Sequence, residues 1–451
     1  MRKFISIASL ITAASLVACA ESEPTVTPPA TALTTTDPVA ALDFGGWEIN
    51  VAQYNSESEP EEKRSNYDEL LWEHRNNMAK KHNYTFSKDA LTTYMDSLEF
   101  LSTTVLAEDP GGEIHRMPPE FANAIARNHL AYDLTTLENI DVTDPKWNPV
   151  VTEMMTVGGA VYGVVKDLYP EKTVYFNKRL FEEAGLDPDL LYDLQAADEW
   201  TWEAFEEVSA KLTRDTNNDG ITDHYAFALQ PTHFFEMAIL SNHGSIIGKD
   251  KNDIYFNNAG SPETLQALEW AIAYYNKGYD TIPTPWKSIP NVFMNGDVAM
   301  FLGDVWNARD FAAGMEDDYG IVCFPKGPKG SLTVQTSGQG YVIPSTYTKE
   351  EAEMIALAFD QYNSLPPGYD AQTAWQDEHY PLYRDSRAVD ETHAIALTPG
   401  TAKSDYDKMI SADVKITALY TDIYLNGLTP AEAVQKHSPV WQVALDVANA
   451  R

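Results

Sequence analysis

The sequence predicts an α/β protein with largely parallel sheets, and three observations carry that prediction. Segments with period-two apolar alternation are followed in turn by segments with helical spacing, the order that lays helices on the faces of parallel strands. The 451 residues exceed the length at which one hydrophobic core stops growing, so two compact units or one large one are expected. Hydrophobic residues make up 44% and aromatic residues 11%, enough material for packed cores along most of the chain. The charge balance of 32 Lys plus Arg against 67 Asp plus Glu leaves −35, which argues against nucleic-acid phosphates or an anionic membrane face as partners. Partners are neutral, cationic or proteinaceous.

Met1-Arg2-Lys3 precedes an apolar stretch from Phe4 to Val17 that is too short to span a bilayer as a stable helix. It ends in Leu16-Val17-Ala18-Cys19, so residues 1–18 read as a signal peptide and the chain as exported. A cysteine directly after Leu-Val-Ala resembles the bacterial lipobox, whose thiol is acylated and anchors the protein to the outer face of the cell membrane. The alternative is an ordinary secretory signal with a chance cysteine at 19. Acylation of Cys19 would leave Cys323 as the one free thiol, in the apolar run Gly320 to Phe324 where a buried strand position is expected. Residues 19–42, rich in Thr and Pro, bury no core and form a disordered tether.

Order begins at Asp43. Trp47 to Val51 alternates as a strand, a helix follows around Tyr67–Lys81, and short strands are expected at Tyr84–Phe86 and Glu113–His115. Ser261-Pro262 supplies an N-cap and an N1 proline before a helix whose apolar face is Leu265, Leu268, Ile272 and Tyr275, stopped by Gly278. Thr348 with Glu351, and Thr429-Pro430 with Glu432, form capping boxes, because hydroxyl and carboxylate each satisfy an orphan backbone N–H of the other. Pro439 predicts a break near Ser438 and a last helix from Val440 to Asn449. No second stretch of spanning length follows the signal.

The sharpest local motif is Asp215-Thr216-Asn217-Asn218-Asp219-Gly220-Ile221-Thr222-Asp223. Oxygen side chains from Asp215, Asn217, Asp219 and Asp223 stand at loop positions 1, 3, 5 and 9, with glycine at 6 and the Ile221 carbonyl at 7, as a calcium site requires. Position 12 is Ala226, so the bidentate glutamate is missing. Structural calcium is expected, and a solvated Asx-rich turn is the alternative.

The motifs that follow one another along the chain resemble the extracellular solute-binding proteins of family 1, the sugar-capturing subunits of bacterial ABC importers similar to maltose-binding protein. They are the lipobox, Gly159 to Val164, the run Thr173-Val174-Tyr175-Phe176-Asn177-Lys178-Arg179-Leu180-Phe181 to Leu186, Trp200 to Phe205, Phe293 to Met300, Gly338 to Pro344 and Leu425 to Ala433. The resemblance spans residues 43–450 and departs in the longer stretch between Leu186 and Trp200. It implies a two-lobed periplasmic-binding-protein type II fold with ligand in a cleft between lobes. The first lobe would comprise 43–167 and 338–396, the second 172–333 and 397–451. Hinge crossings are expected at Lys166–Thr173 and Val334–Gly340, with a return to the second lobe near Leu397. The implied function is capture of a mono- or oligosaccharide and delivery to membrane permease subunits, by a monomer that is not an enzyme.

A sugar offers a face of C–H groups and a rim of hydroxyls, so its site needs an aromatic platform and planar polar side chains. Trp306 is the expected platform, with core packing as its alternative, and Asp304 and Arg309 stand beside it as hydroxyl partners or a solvated pair. His233, Phe234, Phe235 and Glu236 follow a strand where the family places ligand-contacting aromatics. The first lobe offers Gln53, Tyr54 and Asn55 after the first strand and Arg116 after another, since strand-end loops hold ligands. Gln339, Trp375, Tyr383 and Arg384 complete the expected set. Two other readings stay open: the same fold binding a polyamine or basic peptide drawn by the acidic charge, and a lipid-anchored adhesin. A glycoside hydrolase would need a carboxylate pair across a cleft, and the adjacent Asp377 and Glu378 point apart.

Overall fold

The computed structural model describes residues 42–109, 111–166, 168–280, 288–336, 338–370, 373–410 and 414–450. Cys19, the signal peptide and the tether up to residue 41 lie outside them. Along the chain the strands are β1 (Trp47–Gln53), β2 (Tyr84–Ala90), β3 (Ile114–Met117), the hairpin β4 (Thr156–Val157) and β5 (Ala160–Val161), and β6 (Thr173–Asn177). Then come β7 (Tyr225–Ala228), the hairpin β8 (Ile247–Lys249) and β9 (Tyr255–Asn257), β10 (Val298–Gly303) and β11 (Tyr319–Val322). The last are β12 (Val334–Gln335), β13 (Gly340–Val342) and β14 (Ala402–Lys403).

Two four-stranded sheets result, ordered β13-β3-β1-β2 and β11-β6-β10-β7. In the first, β1 runs parallel to β2 and β3, and only β13 is antiparallel. The second is mixed: β10 and β7 are parallel, while β6 runs against both β10 and β11. Parallel pairing, expected to dominate, thus accounts for two of the three strand pairs in the first sheet and one of three in the second. The strand that enters the second lobe from the hinge, β6, must run opposite to strands that return toward it.

The capping signals did their work locally. The Ser65 hydroxyl caps the helix Asn66–His82, and both expected capping boxes close at Thr348 and Thr429. On the helix Pro262–Tyr275 the buried face is Thr264, Ala267, Leu268, Ala271 and Tyr274, rotated from the large-residue face expected. Its neighbours explain the rotation. Phe205 and Phe234 stack on Tyr274 at ring separations of 4.8 and 5.0 Å, so the helix approaches this aromatic core through its alanines. Pro439 does not break the last helix, which runs unbroken from Pro430 to Asn449. The proline is exposed, so water serves the carbonyl it leaves unbonded, and buried Ala433 and Val434 before it and Trp441 and Leu445 after it pin both halves.

The two segments expected to cross between the lobes lie side by side. Val164 bridges Tyr341 and Glu171 bridges Gln335, so the two crossing segments lie antiparallel to each other, and β12 pairs with β14 beside them. The chain meets the second lobe earlier than Leu397. Tyr383 packs on the core of the second sheet and the segment Ala388–His393 lies against β11.

Candidate functional site

The helix Val305–Gly314 starts at the carboxyl end of β10, where Asp304 and Asn307 form a reciprocal capping box. Its buried positions are Asn307, Ala308 and Phe311. Trp306 falls off that face and is 55% exposed, which rules out core packing for this indole. Arg309 is exposed on the same helix, where its charge is felt by Tyr383. Asp304 is buried, and its Oδ1 accepts the backbone N–H of Lys172 at 3.0 Å.

Lys172 forms the polar centre of the hinge. Its backbone has φ 52°, a left-handed conformation that side-chain-bearing residues adopt at a cost of order 1 kcal/mol. The bond to Asp304 helps hold it there. Its ammonium donates to Glu236 Oε2 at 3.0 Å and to the Gln335 carboxamide oxygen, while Gln335 Nε2 donates to Glu236 Oε1 at 3.0 Å. Both Glu236 oxygens are therefore held by hinge side chains.

Glu236 and half-buried His233 belong to the helix Pro231–Ser241, which starts at the carboxyl end of β7. That helix is buried on nearly every side. Phe234 lies in the aromatic core with Tyr274 and Phe324, Phe235 packs on Tyr420, and both have 0% exposure. These two phenylalanines are core residues and not ligand contacts.

The first lobe contributes a cluster from the loop after β1 and from β3 itself, because Arg116, expected after that strand, lies within it opposite Tyr341. Tyr54 donates to the Arg116 carbonyl at 3.1 Å, and the Arg116 guanidinium lies over the Tyr54 ring at 5.5 Å. Tyr94 packs against Tyr54 and donates to Glu120 at 2.9 Å. Burial pushes both phenols up, so they remain protonated donors. Arg116 Nε is buried with no hydrogen-bond partner among the described residues, a donor that a bound hydroxyl could satisfy. Gln53 is fully buried and donates to the Asn55 carbonyl at 2.8 Å, which fixes the loop, and exposed Asn55 donates to Glu57. Glu171 raises the Tyr94 phenol further, and adjacent Lys172 bonds Glu236, so this hinge dipeptide connects the two clusters. Gln339 is half-buried just before β13.

Three expected contacts stand elsewhere. Tyr383 pairs with His393 Nε2 at 2.7 Å and packs on the second-lobe core. Arg384 donates to the carbonyls of Phe311, Ala312, Met315 and Asp317, clamping the end of the Trp306 helix. Trp375 lines a separate cavity with Leu365 and Leu397. Conversely, Tyr94, Glu120, Glu171, Lys172 and Gln335 were not anticipated. The available signal was the Glu171-Lys172 charge pair between Pro170 and the strand run Thr173-Val174-Tyr175-Phe176, inside the expected crossing.

The oxygen-rich loop organises itself through its own backbone. Asp215 accepts from the N–H groups of Asn218 and Gly220, Asn217 from Asp219, and Asp219 from Ile221, all at 2.7–2.8 Å. Asp223 accepts from Thr216 and Asn217, and these bonds hold its carboxyl below the usual range. No group of three or more His, Cys, Asp or Glu placed to hold a metal ion occurs among the described residues. The donor chemistry is right for a hard cation, but as arranged the acidic side chains serve N–H donors.

Over 207 residues the chain is 28% identical to the maltodextrin-binding protein MdxE of Bacillus subtilis, covering 44% of this chain and 45% of that protein. It is 25% identical over 273 residues to an ABC transporter extracellular-binding protein of Pyrococcus horikoshii, covering 55% and 56%. The chain thus spans about half the length of the curated relatives it matches. Among solved structures, UspC of M. tuberculosis superposes with TM-score 0.62 at 18% identity, over 89% of this chain and all of that one. An ABC substrate-binding protein of Listeria monocytogenes, solved with cycloalternan, gives 0.58 at 18% identity over 90% and 98%. These likenesses establish the two-lobed fold. Residues 76–394 match the bacterial extracellular solute-binding protein family, and the chain belongs to that family.

Proposed function

We propose that the protein binds a carbohydrate between its lobes, without chemical change, and presents it to the permease subunits of an ABC importer. The observation that carries this reading is Trp306, an exposed indole at a strand end two residues after Asp304, whose carboxylate holds the backbone of Lys172 in the Lys172–Glu236–Gln335 network. An apolar ring face next to immobilised hydrogen-bonding groups suits a sugar's C–H face and hydroxyl rim. The names of relatives support the same class: a maltodextrin-binding protein by sequence, and structures solved with cycloalternan and maltotetraose.

A thermal-shift screen of mono- and oligosaccharides, with polyamines in parallel, tests the proposal. A ligand at a hundred times its Kd adds about 2.7 kcal/mol of stability. Stabilisation by polyamines alone would overturn the carbohydrate class. The cationic reading is less favoured because Glu236 is already neutralised by Lys172 and Arg116 stands in the opposite lobe.

Two finer points belong to the same proposal. Cys19 carries a lipid that holds an exported, monomeric protein at the cell membrane; Cys19→Ser is expected to release it to the medium, and retention would refute the anchor. The loop of Asp215, Asn217, Asp219, Ile221 and Asp223 takes structural calcium after its side chains turn from backbone N–H groups to the ion. A melting temperature unchanged by chelator would refute calcium.

A further inference from the structure

The crossing segments have two faces. Gln335 directs its carboxamide to Glu236 and the site described above, whereas the hydroxyl of the next residue, Thr336, accepts from Asn148 Nδ2 at 3.3 Å. Successive residues of an extended segment point to opposite sides, and the ladder continues through Thr336, whose N–H donates to the Lys403 carbonyl. Asn148 therefore stands behind the hinge. It lines a cavity of about 1150 Å³, ample for a small molecule, that none of Tyr54, Arg116, Glu236, Asp304 or Trp306 touches.

One wall of this cavity is first-lobe structure, including Trp147, which stacks on Phe359 of the helix Lys349–Tyr362 at 5.6 Å. The facing wall is the segment from Ala396 to Gly400, and Ala396 packs with Cys323 and Val334 at the end of the second sheet. Between them lie Lys166, Leu168 and Tyr169 of the first crossing. The cations are already compensated: Lys166 Nζ lies 2.8 Å from Glu378, and Lys146 Nζ 2.7 Å from Asp360. Apolar surface remains, in Leu365, Pro399, Trp375 and a Leu397 that is 40% exposed.

We propose that this rear cavity is a second small-molecule site, for an uncharged compound bearing an aromatic ring, and that its occupancy is coupled to cleft closure. The walls belong to different lobes and the hinge lies between them. Rotation that narrows the front cleft widens the rear, so a ring that props the rear walls apart favours the closed front. A ligand shifts a conformational equilibrium by its differential affinity for the two states, and the coupling is reciprocal.

Indole is the probe, titrated calorimetrically into the full chain. Saturable binding is expected, weakened at least tenfold in Leu397→Asp and in Trp375→Ala and unchanged in Trp306→Ala, with circular dichroism confirming that each variant folds. Tryptamine and indole-3-acetate, which carry charge, are expected to bind more weakly. Absence of indole binding, binding indifferent to Leu397 and Trp375, or tighter binding of a charged analogue would overturn the site. These arms need no sugar, so they stand apart from the carbohydrate reading. Small-angle scattering reads the coupling: indole is expected to reduce the radius of gyration of wild type and not of Leu397→Asp, and an unchanged radius at saturation would overturn the coupling.

Discussion

Two helices start at the carboxyl ends of neighbouring parallel strands, and they present their aromatic residues in opposite ways. After β10, Trp306 stands 55% exposed, whereas after β7, Phe234 and Phe235 are wholly buried. Position at a strand end is the same for both. The difference is helix phase and environment: Val305–Gly314 buries one narrow face and leaves Trp306 off it, while Pro231–Ser241 is enclosed by the helix Pro262–Tyr275 and by Tyr420. A strand-end location therefore selects candidate loops, and only the phase of the following helix selects the residue.

The largest effect that separates the two regions is on stability. Phe234→Ala removes a ring from a packed aromatic core and is expected to cost about 3–5 kcal/mol in denaturant unfolding. Trp306→Ala is expected to change stability by less than about 0.5 kcal/mol, yet to weaken carbohydrate binding by about 2 kcal/mol, some thirtyfold, in calorimetry. If Trp306→Ala unfolded as readily as Phe234→Ala, the contrast between exposed platform and core would fail.

A smaller effect is expected at the hinge network. Glu236→Gln leaves Lys172 without its carboxylate in a nearly buried position, which is expected to cost about 1–3 kcal/mol, below the full cost for a completely buried pair because both partners keep some solvent contact. Lys172→Met combined with Glu236→Gln is expected to recover part of that loss. Failure of the double variant to recover would mean that Gln335, not the charge pair, fixes the geometry.

The smallest expected effect concerns pH. Asp405 is buried, which pushes its carboxyl up to about 6 against the backbone N–H bonds of Ile246, Ile247 and Asp407, with Glu236 raising it further. A carboxyl raised on folding binds more protons in the native state, so its contribution destabilises the fold above about pH 6 and fades toward its unfolded value of 3.8. Wild type is expected to gain stability relative to Asp405→Asn as pH falls from 7 to 5, read as the difference in melting temperature. A difference independent of pH would show that the native carboxyl titrates normally.

Local signals made much of the fold legible. Thr348 and Thr429 with their glutamates fixed helix starts because a capping box is complete within four residues, and β1 was visible in the alternation of Glu48, Ile49, Asn50 and Val51. Nonlocal packing was not legible. The rotated face of Pro262–Tyr275 depends on aromatic rings contributed by Phe205 and Phe234, and the unbroken last helix depends on anchors either side of Pro439. In the site, Glu236, Asp304 and Trp306 could be reached from strand ends, but Lys172 and Gln335 acquire their roles only when two crossings distant in sequence lie side by side.

Cys323 is the only cysteine after residue 19; it is fully buried, and burial pushes its thiol up to about 12. At neutral pH it presents almost no thiolate to a maleimide. In a chain begun after Cys19, a single cysteine engineered at an exposed position such as Asn55 would therefore be labelled selectively, with Cys323 left in place. An environment-sensitive dye placed there would turn each ligand capture into an optical signal, and the protein into a reagentless sensor for its own cargo.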